Sequence, residues 1–173
     1  MTVLDRFLIR HASGRDAARI AGIHVRSWQA AYRGLVPDEV LEALDPVHRE
    51  MVWKGLLGTP EETVLAATRG SRMAGFCSLV PSRDPDAAAG TGEIASFWVD
   101  PPAWGLGAGR ALARELVAQA RGRRFRRLTL WVLSGNARAR RFYEKAGFAP
   151  DGAVKQEERQ GHAIEVTRYA REL

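Results

Sequence analysis

A chain of 173 residues with 46% hydrophobic and 27% charged side chains can bury one sizeable core, and its composition excludes a disordered or fibrous protein. No apolar run approaches the roughly 20 residues a membrane span needs, and charges break the apolar patch at the N-terminus, so neither a span nor a signal peptide is expected. The lone Cys77 excludes an internal disulfide and a Cys-based metal cluster, four scattered histidines show no ligand spacing, and a cytoplasmic protein without a metal is the expectation.

In chain order, residues 7–11 alternate as a short strand. Ser13 and Asp16 form a capping signature ahead of Ala17, Ile20, Ile23, His24, Ser27, Trp28 and Ala31, which recur at helical spacing. Gly34 and Pro37 close that helix. Pro37–Leu44 and Pro46–Leu57 read as two more helical pieces opening on proline. Thr63–Thr68 and Met73–Val80 form a hairpin about Arg69–Gly70, and residues 82–92 are a polar loop. A strand over 93–99, a glycine-rich loop and a helix over 107–121 follow. Arg127–Leu133 is a buried strand and Ala137–Lys145 a helix stopped by Gly147. Strands near Val154–Glu158 and Ala163–Ala170 end the chain. With no repeat or linker, residues 1–173 are expected to form a single α/β domain.

The net charge of +6 comes from arginine, lysine occurring only at Lys54, Lys145 and Lys155. The run Arg121, Arg123, Arg124, Arg126 and Arg127 lies between a helix and a strand with only Phe125 as a stacking aromatic. A solvated loop near an anionic ligand is therefore favoured over a nucleic-acid patch. Glycines alternate at Gly105, Gly107 and Gly109 just before a helix, so successive backbone N–H groups and the positive helix end can converge on one point. That is a phosphate or pyrophosphate site. A dinucleotide fold would place an acid at the end of the next strand, where Leu133-Ser134-Gly135-Asn136 stands; a Walker loop would need Gly-Lys-Ser/Thr where Gly109-Arg110-Ala111 stands.

Residues 93–148 resemble the GCN5-related N-acetyltransferase (GNAT) family. Trp104-Gly105-Leu106-Gly107-Ala108-Gly109 occupies that family's Arg/Gln-x-x-Gly-x-Gly/Ala motif, and NARARRFYEKAGF at 136–148 matches its second block. HVRSWQAAYRGLVP at 24–37 is similar to the first-helix segment of one branch of the family. The resemblance implies a mixed, mostly antiparallel twisted sheet of six to seven strands flanked by four to five helices. It also implies acetyl-CoA as acetyl donor, and transfer to a primary amine of a small molecule or peptide by direct attack in a ternary complex. A homodimer is common in proteins of this kind. A non-catalytic acetyl-CoA-binding or regulatory protein of the same fold is the alternative.

Residue by residue, the resemblance assigns the backbone of Gly105, Leu106, Gly107, Ala108, Gly109 and Arg110 to the pyrophosphate, and Phe97, Trp98 and Val99 to the pantetheine arm. Asn136 is assigned to the cofactor or to a helix cap. Tyr143 is the proton donor to the departing thiolate. Glu93, at the entry of the strand beside the cofactor, is the general-base candidate, through water. Trp28 and Tyr32, four apart, are acceptor-site candidates, with acids at Glu157 or Glu158 suited to a cationic amine. The motif's first position carries Trp104, and Arg110 is the residue expected to supply the missing charge.

Overall fold

The computed structural model describes residues 7–159 and 161–173. Seven strands form one sheet: β1 (Leu8–His11), β2 (Thr63–Arg69), β3 (Arg72–Pro81), β4 (Thr91–Val99), β5 (Arg127–Leu133), β6 (Ala149–Arg159) and β7 (His162–Glu172), in the order β1-β2-β3-β4-β5-β7-β6. All pairings are antiparallel except β4–β5. The helices are α1 (Ala17–Tyr32), α2 (Asp38–Glu42), α3 (Pro46–Leu56), α4 (Ala108–Gly122) and α5 (Ala137–Lys145).

Strand alternation divides the core between the two faces of the sheet. In β2, Leu65 and Ala67 pack with Leu112, Leu116 and Ala120 of α4, whereas Val64 and Ala66 pack with Ile20 and Ile23 of α1 and Trp53 of α3. The entry to α1 is held by Asp16, which accepts from the Ser13 N–H at 2.9 Å and from both terminal nitrogens of Arg10 at 2.8 Å. The Arg10 guanidinium brings the Asp16 carboxyl down to about 2.

Several boundaries differ from the sequence reading. Pro37 precedes α2 as its cap, while Pro46 opens α3 behind an Asp45 cap that accepts from Val47 and His48. β4 starts at Thr91, two residues before the expected entry, because Thr91 and Gly92 already pair with Arg127 and Leu128. The last two strands run eleven residues each, so the tail is a long hairpin.

The arginine run is dispersed by its contacts. Arg123 donates to the Glu61 and Leu79 carbonyls and to Thr63, and Arg127 pairs with Asp151 and Glu172. Arg121 lines the cleft described below.

β4 and β5 set the position of that cleft. They pair over only three rungs, Thr91–Glu93 against Arg127–Thr129. β3 stays paired with β4 to Val99, but the register steps from Leu79–Ile94 to Ser78–Ser96 and leaves Ala95 as a bulge. A bulge adds local twist and turns the strand away from its neighbour. Beyond Glu93, β4 diverges and the sheet opens.

Candidate active site

The opening between β4 and β5 is a cleft of about 1200 Å³, bounded by the end of β4, the loop before α4, α4 and α5. The glycine loop forms its mouth. Gly105 and Gly107 have φ of +77° and +98°, a left-handed conformation that side chains with a Cβ rarely adopt. Gly107 caps α4, leaving the first-turn N–H groups from Ala108 without intrahelical acceptors. Gly109 serves packing: a Cβ there would come within 3.2 Å of the Phe142 ring on α5. Leu106 points its side chain to solvent and Ala108 is buried in the core, so each can offer the cleft only backbone.

The charge of the cleft lining is one-sided. Arg110, Arg114 and Arg121 of α4, Arg138, Arg141 and Lys145 of α5, and Arg171 of β7 line it, and no acid does among the described residues. Such a wall suits a ligand with several phosphate charges. The glycine cradle, the volume and the cations together fit a phosphorylated nucleotide arm.

Trp104 replaces the missing motif cation in an indirect way. Its Nε1 donates to the Val99 carbonyl at 2.7 Å, tying the glycine loop to the end of β4. The Arg138 guanidinium lies 3.4 Å from the centroid of its ring, a cation–π stack that fixes this arginine at the cleft. The expected substitute, Arg110, lines the cleft from an exposed position on α4, but it is Arg138 that Trp104 holds. The only sequence signal for Arg138 is its place two residues after Asn136 in the second block.

Phe97, Trp98 and Val99 all line the cleft. Their side chains go to opposite faces, Phe97 and Val99 to the core beneath α4 and Trp98 to the aromatic group around α1. The Val99 carbonyl is further bound by Ser27 of α1 at 3.1 Å, and Asp100 is forked by Arg26 at 3.0 Å, so α1 fixes the far end of β4. Asn136 caps α5 by accepting from Ala139 N–H at 3.1 Å and also lines the cleft.

Tyr143 lines the cleft from α5 within a group of Phe97, Phe142 and Phe148, with ring centroids 5.3 to 6.1 Å away. Burial raises its hydroxyl well above the usual tyrosine range, reinforced by Tyr32 and Cys77 nearby, so it stays protonated. Cys77 itself is fully buried and its thiol is pushed up by burial, which leaves it inert as a nucleophile.

Glu93 occupies the last rung before the strands part and is not among the residues that line the cleft. It is buried, and Arg83 holds it through its backbone N–H at 3.0 Å and its guanidinium at 2.6 Å. Burial would raise its carboxyl, but the bonds from Arg83 outweigh that and leave it below the usual carboxylate range. Glu93 is therefore ionised and a weaker base than a free glutamate.

On the α1 face, His24, Trp28, Tyr32 and Trp98 form one aromatic group, with Trp28–Tyr32 at 4.8 Å and His24 stacked on Trp98 at 5.6 Å. Glu157 is engaged by Arg159 at 2.8 Å and Lys155 at 3.2 Å, and Glu158 is exposed. The acids expected to receive a cationic amine are thus paired or exposed. Trp98 joining this group had no signal in sequence, because strand alternation alone does not say which face meets α1.

The sequence pattern of the acetyltransferase (GNAT) family matches residues 25–148, the stretch that supplies the described lining of this cleft apart from Arg171. The chain belongs to the GNAT family. An uncharacterized N-acetyltransferase of Mycobacterium bovis is 28% identical over 79% of this chain and 85% of its own length. A mycothiol acetyltransferase of Beutenbergia cavernae is 50% identical over 38% of this chain, a match spanning only 22% of that longer protein. A protein of Salmonella typhimurium, solved with its cofactor acetyl-CoA, has the same fold, with a TM-score of 0.72 and 24% identity over 96% of this chain and 94% of that one. The GNAT fold was legible from the glycine loop and the 136–148 block together.

Proposed function

We propose that this GNAT protein is an acetyl-CoA-dependent N-acetyltransferase that acts on a primary amine by direct attack in a ternary complex. The observation that carries the reading is the cleft between the parted strands, with a glycine cradle at its mouth and, among the described residues, seven cations but no acid in its lining. Acetyl-CoA brings an acetyl thioester, activated for attack by an amine. The Salmonella protein's bound cofactor supports the same choice of donor.

The chain's residues then take the following roles. First-turn N–H groups of α4 and Arg138 hold the pyrophosphate. The free edge of β4 from Ser96 to Val99 pairs with the amides of the pantetheine arm as an added strand would, and its N–H groups face the negative charge that develops on the thioester oxygen. An amine with a pKa of about 10.4 must lose a proton before attack. Glu93, ionised on the last paired rung and held by Arg83 outside the cleft lining, takes that proton only through intervening water; its weak basicity makes its share modest. Tyr143 donates its proton to the sulfur that leaves. Burial keeps the Tyr143 hydroxyl protonated, so the proton is present to be given. The atoms balance: amine and acetyl thioester give amide and free thiol.

The test is calorimetric titration with acetyl-CoA and CoA, followed by free-thiol release with a panel of amines. Micromolar binding and amine-dependent thiol release are expected. No binding below millimolar concentration would sink the reading.

A further inference from the structure

Among the described residues, the corner of the α1 face around Trp28 carries hydrogen-bond donors without partners. The indole Nε1 of Trp28 is buried, with the residue 9% exposed, and has no hydrogen-bond partner. The Arg159 guanidinium lies over the same ring, 5.7 Å from its centroid. His24 Nδ1 accepts from Trp53 at 3.3 Å, so the neutral imidazole carries its proton on Nε2 and offers another donor.

Arg49 stands one turn before Trp53 on α3. It is half-buried and, among the described residues, makes no ion pair and no side-chain hydrogen bond. A guanidinium withdrawn from water without a partner is costly, and most such groups in proteins are paired. Burial and the neighbouring Arg159 both lower Arg49, and burial together with these two arginines holds His24 down to about 3, which places all three in one field. The acid at this corner, Glu157, is already taken by Arg159 and Lys155. What the corner lacks is an acceptor, and a ligand can bring it.

We propose that this corner is the anion subsite of the acceptor pocket: Arg49, Arg159 and the Trp28 N–H receive a carboxylate carried by the amine, so that the acceptor is a small amino-acid-like molecule. The proposal rests on the acetyltransferase reading. The placement is consistent with a short acceptor. Trp28 and Tyr32 touch Trp98, with centroids 5.9 and 5.7 Å away, and Trp98 reaches the cleft, so one aromatic wall runs from the arginines to the opening. A carboxylate at the arginines leaves the amine to extend along that wall towards the thioester. A planar guanidinium fork matches a carboxylate better than it matches a single point charge.

The experiment compares kcat/KM for L-amino acids, their α-carboxamides, decarboxylated amines and O-phosphoethanolamine, by thiol release at saturating acetyl-CoA. Amino acids should exceed their carboxamides by about tenfold or more. Arg49→Met and Arg159→Met should each raise KM for amino acids about tenfold at nearly constant kcat, with the carboxamides unaffected and acetyl-CoA affinity retained as the measure of folding. Arg49→Lys should recover part of the loss. Should Arg49→Met fail to fold, the exposed Arg159 provides the same test. Equal rates for acids and carboxamides, a preference for O-phosphoethanolamine, or variants that slow both substrates alike would overturn the subsite. Failure of the wild-type protein to bind acetyl-CoA would instead overturn the reading beneath it.

Discussion

On the proposed reading, the two faces of the opening in the sheet recognise their ligands by different means. On the α4 and α5 face the work falls to backbone: N–H groups freed by Gly107, a helix end and a diverging strand, with arginines around them. On the α1 face it falls to side chains from distant segments, with Trp28 from α1, Arg49 from α3 and Arg159 from β6 meeting at one corner. The first kind of site can keep its ligand while side chains vary, and the second can change its ligand with one substitution. A fixed donor with a variable acceptor is what such a division produces.

Four variants probe that division. Tyr143→Phe should have the largest effect, lowering kcat on the order of 100-fold or more while acetyl-CoA affinity stays within about twofold, since a general acid commonly contributes 10²–10⁴-fold. An unchanged kcat in steady-state assays would remove the acid role. Gly107→Val should weaken acetyl-CoA by roughly 100-fold in calorimetry, because a β-branched residue resists a φ of +98° and displaces the amides behind it. Should affinity survive that change, backbone recognition on this face would be refuted. Arg138→Ala should raise the acetyl-CoA Kd about tenfold, a loss in the range of one charge-assisted contact. A Kd equal to wild type would show that Trp104 serves only the loop.

The smallest effect is on stability and belongs to the α1 face. Burial, with Arg49 and Arg159, keeps His24 neutral down to about 3, against an ordinary value of 6.5. Between those values the unfolded chain binds a proton that the folded chain refuses, so stability falls as pH falls from about 6.5 towards 3. Going from pH 7 to 5.5 should cost about 1 kcal/mol in urea unfolding from this residue. His24→Gln should remove that component, and an identical pH dependence in the variant would show that the histidine is not shielded.

The same contrast explains what could be read from the sequence. The glycine cradle is local: Gly105, Gly107 and Gly109 lie within five residues, and their chemistry follows from their own backbone. The Asn136 cap and Tyr143 on α5 are likewise set within one helix. The α1 corner joins residues more than 100 positions apart along the chain, and no periodicity encodes that Arg159 would lie over Trp28. The Glu93–Arg83 pair was missed for a similar reason: Arg83 lies in a polar loop whose course depends on how β3 hands over to β4. Trp104 read as a defect in the motif, because its value lies in two contacts, Val99 and Arg138, that become visible only in three dimensions.

The bulge at Ala95 has a further consequence. By ending the β4–β5 pairing after Glu93, it creates a strand edge in the middle of a sheet rather than at its rim. Open edges invite other polypeptides to add on, and most proteins guard them with charge or proline. This one is guarded by its position. It is flanked by the rest of the sheet and by α4 and α5 at the opening, and on the proposed reading the amide-bearing arm of the donor takes it up. On that reading the gap that makes room for the donor also gives the edge its partner.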